Sequence, residues 1–184
     1  MTFDDDDLLR KNPLLQRVLI RSEEIQLRVR QLGNEISRDY EGSVPVLVSI
    51  LKGSYVFLAD LTRCLSIPHE VDFMAISSYH GGTQSTGVVK IEKDLKTNIT
   101  DRDVLIVEDI VDTGLTSSHL LDLLQTRSPR SLRLCTLLDK TAARRKPVTL
   151  SYVGFEIPSE FVIGYGLDYD EKLRNLPFIG VMKG

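Results

Sequence analysis

Apolar positions along the chain follow two rhythms. Ile25, Val29, Leu32 and Ile36 recur at the spacing of one helix face. Ser22-Glu23-Glu24 ahead of them reads as a cap and an acidic first turn. VPVLVSIL at 44–51 is an almost unbroken apolar run with Pro45 near its start, which predicts a strand buried on both faces. Lys52-Gly53-Ser54 breaks that run, and Tyr55 to Leu65 reads as a helix. Val71 to Ser77, Val104 to Val107, Leu132 to Leu138 and the shorter Leu150 to Val153 read as further strands, and Val88 to Lys93 alternates as a strand would. Leu120, Leu121, Leu123 and Leu124 cover one side of a helix. SYHGGTQSTG at 78–87 is polar and Gly-rich, with only Tyr79 able to join a core, and reads as a mobile loop.

Strands that alternate with helices and are apolar on both faces predict an α/β fold, a mostly parallel sheet covered by helices. A length of 184 residues fits one domain. Ligands of such sheets bind beyond the carboxyl ends of the strands. Two suggestive stretches, LKGS at 51–54 and EDIVDTGLT at 108–116, lie at predicted strand ends.

Composition adds mostly exclusions. Hydrophobic residues are 42% and charged residues 27%, ordinary for a globular chain, and a net charge of −3 offers no whole-surface attraction to nucleic acid or acidic lipid. The first residues, MTFDDDDLLRKNP, lack the basic-then-apolar order of a signal peptide, and no apolar run approaches the ~18 residues of a membrane span. The expectation is a cytoplasmic protein with neither nucleic acid nor membrane as partner. Asp4 to Asp7 reads as a solvated tail or the acidic first turn of a helix. Cys64 and Cys135 show no metal or redox spacing and read as buried, reduced thiols. His69, His80 and His119 are scattered and read as loop or surface residues.

The loop chemistry is more specific. Thr113-Gly114-Leu115-Thr116, between a strand and a helix, offers backbone amides and two hydroxyls to an anion, above all a phosphate. Glu108 and Asp109 would repel a bare phosphate. A ribose 5-phosphate satisfies both: its phosphate on 113–116, its 2- and 3-hydroxyls and any bound Mg²⁺ facing the acids. Taken alone, the loop is equally read as Asp112 capping a helix whose dipole the other acids favour.

Val104 to Thr116 resembles the phosphoribosyl diphosphate signature of the type I phosphoribosyltransferases: an apolar strand, two acids, two apolar residues, then Asp-Thr-Gly-x-Thr. The resemblance runs from about residue 14 to residue 182, and its further segments resemble the bacterial members that act on hypoxanthine and guanine. It implies a twisted, mostly parallel sheet flanked by helices, with a small base-binding hood built from the N-terminal segment and residues about 150–184, all in one domain. Leu51-Lys52-Gly53-Ser54 is similar to the family's diphosphate loop, where the peptide between Leu51 and Lys52 is often cis. Residues about 77–88 are similar to its mobile lid, with Ser78 and Tyr79 at the tip. Leu138-Asp139-Lys140, Phe161 to Tyr169 and Arg174 match the base and diphosphate segments. Leu115 stands where some members have lysine.

The implied reaction is Mg²⁺-dependent purine salvage, joining hypoxanthine or guanine to phosphoribosyl diphosphate and yielding IMP or GMP and diphosphate. Asp112 is implied as general base. Glu108, Asp109, Asp112, Thr113, Gly114, Leu115 and Thr116 would hold the ribose 5-phosphate, and Lys52, Gly53 and Arg174 the diphosphate. Lys140, Phe161, Val162 and Asp168 would hold the purine, and Glu108, Asp109 and Asp168 would serve Mg²⁺. A homo-oligomer, dimer or tetramer, with the Leu51–Leu65 region near a subunit contact, is also implied. Two alternatives stay open: a regulator that senses phosphoribosyl diphosphate and binds nucleic acid, and a sister transferase acting on xanthine, orotate, uracil or adenine. Taken alone, Lys52 reads as a solvated loop lysine, Arg174 as the partner of Asp170 or Glu171, Asp168 as a turn residue and Phe161 as a core aromatic.

Overall fold

The strand rhythm builds two sheets in a computed structural model that describes residues 4–78 and 89–183. In chain order the first elements are α1 (Asp5–Lys11), β1 (Leu15–Ile20), α2 (Ser22–Asp39), β2 (Val46–Leu51), α3 (Tyr55–Cys64), β3 (Glu70–Ser78) and β4 (Val89–Lys93). They continue with β5 (Asp103–Val111), α4 (Leu115–Gln125), β6 (Ser131–Asp139), β7 (Tyr152–Glu156), β8 (Val162–Ile163) and β9 (Ile179–Met182). The main sheet has the order β4-β3-β2-β5-β6-β7. Its pairings are parallel except at the edge, where β4 runs antiparallel to β3.

Strand alternation explains why both faces of this sheet are apolar. On β5, Leu105 and Val107 pack with Ile25, Val29 and Leu32 of α2 and Phe57 and Leu61 of α3. Val104 and Ile106 pack on the opposite face with Leu120 and Leu124 of α4. Successive side chains of a strand point to opposite faces, so one continuous apolar run feeds two helical layers. The chain belongs to the mostly parallel α/β class that the periodicity predicts.

The second sheet is small, with the order β1-β9-β8, and joins the N-terminal segment to the C-terminal one. Its own core is Leu15, Ile163, Leu176 and Phe178. Periodicity did not reveal β1 or β9. Asp4 to Asp7 prove to be a helix start: Asp4 caps α1 by accepting the Asp7 amide at 2.9 Å. Asp5 is buried and accepts from the Ser22 amide at 2.8 Å, so it is no solvated tail.

Other expectations are corrected. The predicted cap Ser22 is the first helical residue of α2, behind Arg21, whose amide donates to Glu24 at 2.8 Å. The strand expected at 150–153 runs instead over Tyr152–Glu156. Cys135 is buried, whereas Cys64 is only half-buried. The strand expected to stop at Val107 continues to Val111, because parallel pairing with β6 goes on through Glu108 to Val111 and needs only backbone groups. Glu108 and Asp109 are therefore strand residues, and of the three acids only Asp112 lies in the loop.

Candidate active site

β2 and β5 are neighbours in the sheet, and the chain leaves β2 towards β3 but β5 towards β6. The outward loops diverge there and open a crevice at the strands' carboxyl ends, the position where doubly wound sheets bind ligands. It holds a cavity of about 260 Å³ lined by Gly53, Glu108, Asp109, Asp112, Thr113, Gly114 and Thr116, with Ile50 and Ile76 as its apolar wall.

The loop from β5 to α4 turns at Gly114, whose φ of 79° is left-handed. A Cβ at Gly114 would lie 2.4 Å from the Lys146 carbonyl oxygen. The Thr113 carbonyl accepts from the amides of Arg145 and Lys146 at 2.9 and 3.0 Å. The loop is thus clamped from behind; the Leu115 amide donates to Thr113 Oγ1 at 3.4 Å, and a helix N-terminus leaves its first amides without intrahelical partners. Gly114 is also the cap of α4, so Asp112 does not cap it.

Glu108 is buried, and desolvation, reinforced by the neighbouring Asp109, drives its carboxyl well above the usual range. Burial likewise raises Asp109, to about 6, against the Ile110 amide and the Arg174 cation, which pull the other way. Asp109 lies against Gly53: a Cβ there would fall 1.5 Å from its Oδ2. Asp112 is half exposed and faces Lys140, with Nζ 3.4 Å from Oδ2. Lys140 follows β6, its amide donates to the Val111 carbonyl at 3.0 Å, and its side chain is only 11% exposed.

The peptide Leu51–Lys52 is cis, as the resemblance implied. Lys52 reaches Glu171 at 3.0 Å. Arg174 pairs with Asp168 at 2.9 Å and with Glu171 at 3.2 Å, and donates to the Gly166 carbonyl at 2.9 Å. The Lys52 and Arg174 cations hold the Glu171 carboxyl below its usual range. Gly166, with φ of 101°, backs onto the Gly53 carbonyl, where a Cβ would lie 2.1 Å away. This close approach joins the Asp168–Arg174 loop to the Lys52–Ser54 loop and so to Asp109. In the small sheet, Val162 is buried and Phe161 is 58% exposed, so Phe161 is not a core aromatic. Its ring meets Tyr169 edge-on at 6.2 Å.

The family profile described as "Phosphoribosyl transferase domain" matches residues 19–170. Hypoxanthine-guanine phosphoribosyltransferase of Bacillus subtilis (strain 168) is 48% identical, over 92% of this chain and 94% of the relative. The chain belongs to the phosphoribosyltransferase family. The solved structure of a hypoxanthine phosphoribosyltransferase from Staphylococcus aureus aligns with a TM-score of 0.90 at 49% identity, over 92% of each chain. The match to the "Bifunctional protein TilS/HprT" of Listeria innocua is 50% identical over 92% of this chain, which spans 26% of that longer relative.

In this phosphoribosyltransferase the residues singled out in the sequence fall into three groups. Gly53, Glu108, Asp109, Asp112, Thr113, Gly114 and Thr116 line one cavity, and Leu115 opens α4 beside it. Lys52, Asp168 and Arg174 form an ion-pair network tied to that cavity through Gly53, and Lys140 adjoins it through Asp112. Phe161 and Val162 stand on the other sheet. Ser78 ends β3, while Tyr79, His80 and most of the expected lid lie outside the described residues. Glu171 entered the sequence reading only as a surface partner for Arg174. Its contact with Lys52 spans 119 positions and left no local signal.

Proposed function

We propose that this chain transfers the 5-phosphoribosyl group of phosphoribosyl diphosphate to N9 of hypoxanthine or guanine, giving IMP or GMP and diphosphate. The observation that carries the reading is the Lys140–Asp112 pair beside the phosphate loop, a hydrogen-bond donor and a carboxylate in one short reach. The anomeric C–O bond to diphosphate breaks as N9 bonds to that carbon, and Asp112 accepts the proton leaving N7. Lys140 then leaves Asp112 for the 6-oxo oxygen. Adenine has a 6-amino group there, which cannot accept, so a buried donor would go unpaired. Phe161 stacks on the ring, Val162 and Asp168 offer backbone groups to its edge, and Lys52, Gly53 and Arg174 take the charge that develops on diphosphate.

Mg²⁺ suits the donor set. Glu108 and Asp109 are adjacent oxygen donors, and among the described residues no three acids, histidines or cysteines converge on one point. One or two carboxylates completed by water and substrate phosphates is the coordination that magnesium favours. Glu108 and Asp109 would hold one ion and Asp168 would help place another. When bound, Mg²⁺ neutralises charge on the diphosphate. A cytoplasmic homo-oligomer, dimer or tetramer, closing near the exposed Tyr55 of α3, belongs to the same proposal.

Steady-state assays test it, with phosphoribosyl diphosphate, Mg²⁺ and hypoxanthine, guanine, xanthine, adenine or uracil, followed by absorbance. Turnover with hypoxanthine or guanine and none with adenine or uracil is expected. Adenine used as well as hypoxanthine would remove the Lys140 argument, and no turnover with any base would leave the regulator reading.

A further inference from the structure

Building on that reading, the two cations assigned to diphosphate already share an anion. Nζ of Lys52 and Nη2 of Arg174 lie 3.0 and 3.2 Å from the same oxygen, Oε2 of Glu171. Lys52 comes from the loop after β2 and Arg174 from the loop between β8 and β9. One carboxylate oxygen thus bridges them much as a diphosphate oxygen would. The backbone fixes where that carboxylate starts: the Glu171 amide donates to Asp168 Oδ2 at 2.9 Å. The side chain itself is free to leave, for it is 65% exposed, and so is Lys52 at 67%.

We infer that Glu171 is an internal competitor for the diphosphate subsite, holding Lys52 and Arg174 until a diphosphate oxygen displaces it and closing on them again as diphosphate departs. Exposed ion pairs are individually weak, so the competition sets affinity without blocking the site. Its expected effect is to keep the product from lingering, at the expense of tight binding.

The experiment is calorimetric titration of inorganic diphosphate into the wild type, Glu171→Gln and Glu171→Ala, with KM for phosphoribosyl diphosphate measured alongside. Asp170→Asn is the control: it removes the same charge one residue away, from a carboxylate that pairs with Lys172. Both Glu171 variants are expected to bind diphosphate about threefold to tenfold more tightly and to lower that KM, with Asp170→Asn within about twofold of wild type. No tightening in the Glu171 variants, or equal tightening in Asp170→Asn, overturns the inference. Wild-type protein that binds diphosphate yet transfers nothing overturns the proposed reaction and leaves the binding comparison standing.

Discussion

Single carboxylates in this chain do opposite work according to what surrounds them. Asp72 is buried, and although desolvation pushes its carboxyl up, the amides of Thr97, Phe73 and Lys96 outweigh it and hold it at about 2. Those donors lie 2.8, 2.8 and 2.7 Å from its oxygens and pin the 94–97 turn to β3. A folded pKa below the unfolded one means stability that is present above pH ~4 and lost as pH falls towards ~2. Asp72→Asn is therefore expected to cost about 2 kcal/mol at neutral pH, a Tm drop of roughly 4–8 °C. Melting curves of the two proteins should converge below about pH 2. Asp112 has no such cage. It is half exposed, with Lys140 Nζ 3.4 Å from its Oδ2. Asp112→Asn is expected to lower turnover at least ~10-fold, the low end for a general base, while leaving the melting temperature nearly unchanged. Unchanged turnover in the folded variant would remove Asp112 from that role.

The strand ends, more than the strands, hold the residues proposed for the chemistry, and they were also hardest to read. β2, β5 and β6 are legible because both faces are buried, which writes a continuous apolar run. The same logic misplaced the end of β5: Glu108 and Asp109 interrupt the apolar run while the backbone ladder to β6 continues beneath them. The strands of the small sheet left little pattern. β8 has two residues, β9 includes Gly180, and β1 exposes Gln16 and Arg17 side by side. A period of two cannot declare itself over such lengths. The turn at residues 112–116 was legible because its residues are contiguous, whereas the Lys52–Glu171 contact joins distant segments. Gly53 shows how little room a strand end leaves. A Cβ on Gly53 would fall 1.5 Å from Asp109 Oδ2, and a Cβ on Gly166 would fall 2.1 Å from the Gly53 carbonyl oxygen. Gly53→Ala is expected to displace the Asp109 carboxylate and lower kcat/KM by ~100-fold, the scale of a 1 Å misplacement. Its far-UV circular dichroism should match wild type. A Gly53→Ala enzyme of ordinary activity would mean that the position of Asp109 is immaterial.

At the scale of the whole molecule the proposed substrate is divided between two sheets. The main sheet presents the loop at residues 113–116, the acids and Lys140, while the small sheet presents Phe161 and Val162. They are joined through the covalent chain, and through Gly166 lying on Gly53 and Arg174 holding the Gly166 carbonyl. A ligand that touches both should stabilise the molecule more than its two halves supplied separately, because linking them makes the second contact intramolecular. At 100 times its Kd a ligand specific to the folded state adds about 2.7 kcal/mol, or roughly 5–11 °C of Tm for a chain of this size. Inosine monophosphate is expected to give a shift of that order. Ribose 5-phosphate and hypoxanthine, added together at the same concentration, are expected to give a much smaller one. Phe161→Ala should pull the nucleotide shift towards that of ribose 5-phosphate, since it removes the stacking face and spares the phosphate loop. Equal shifts from the nucleotide and from its separated parts would mean that the two sheets do not share one ligand, and the base would then have to be sought away from Phe161.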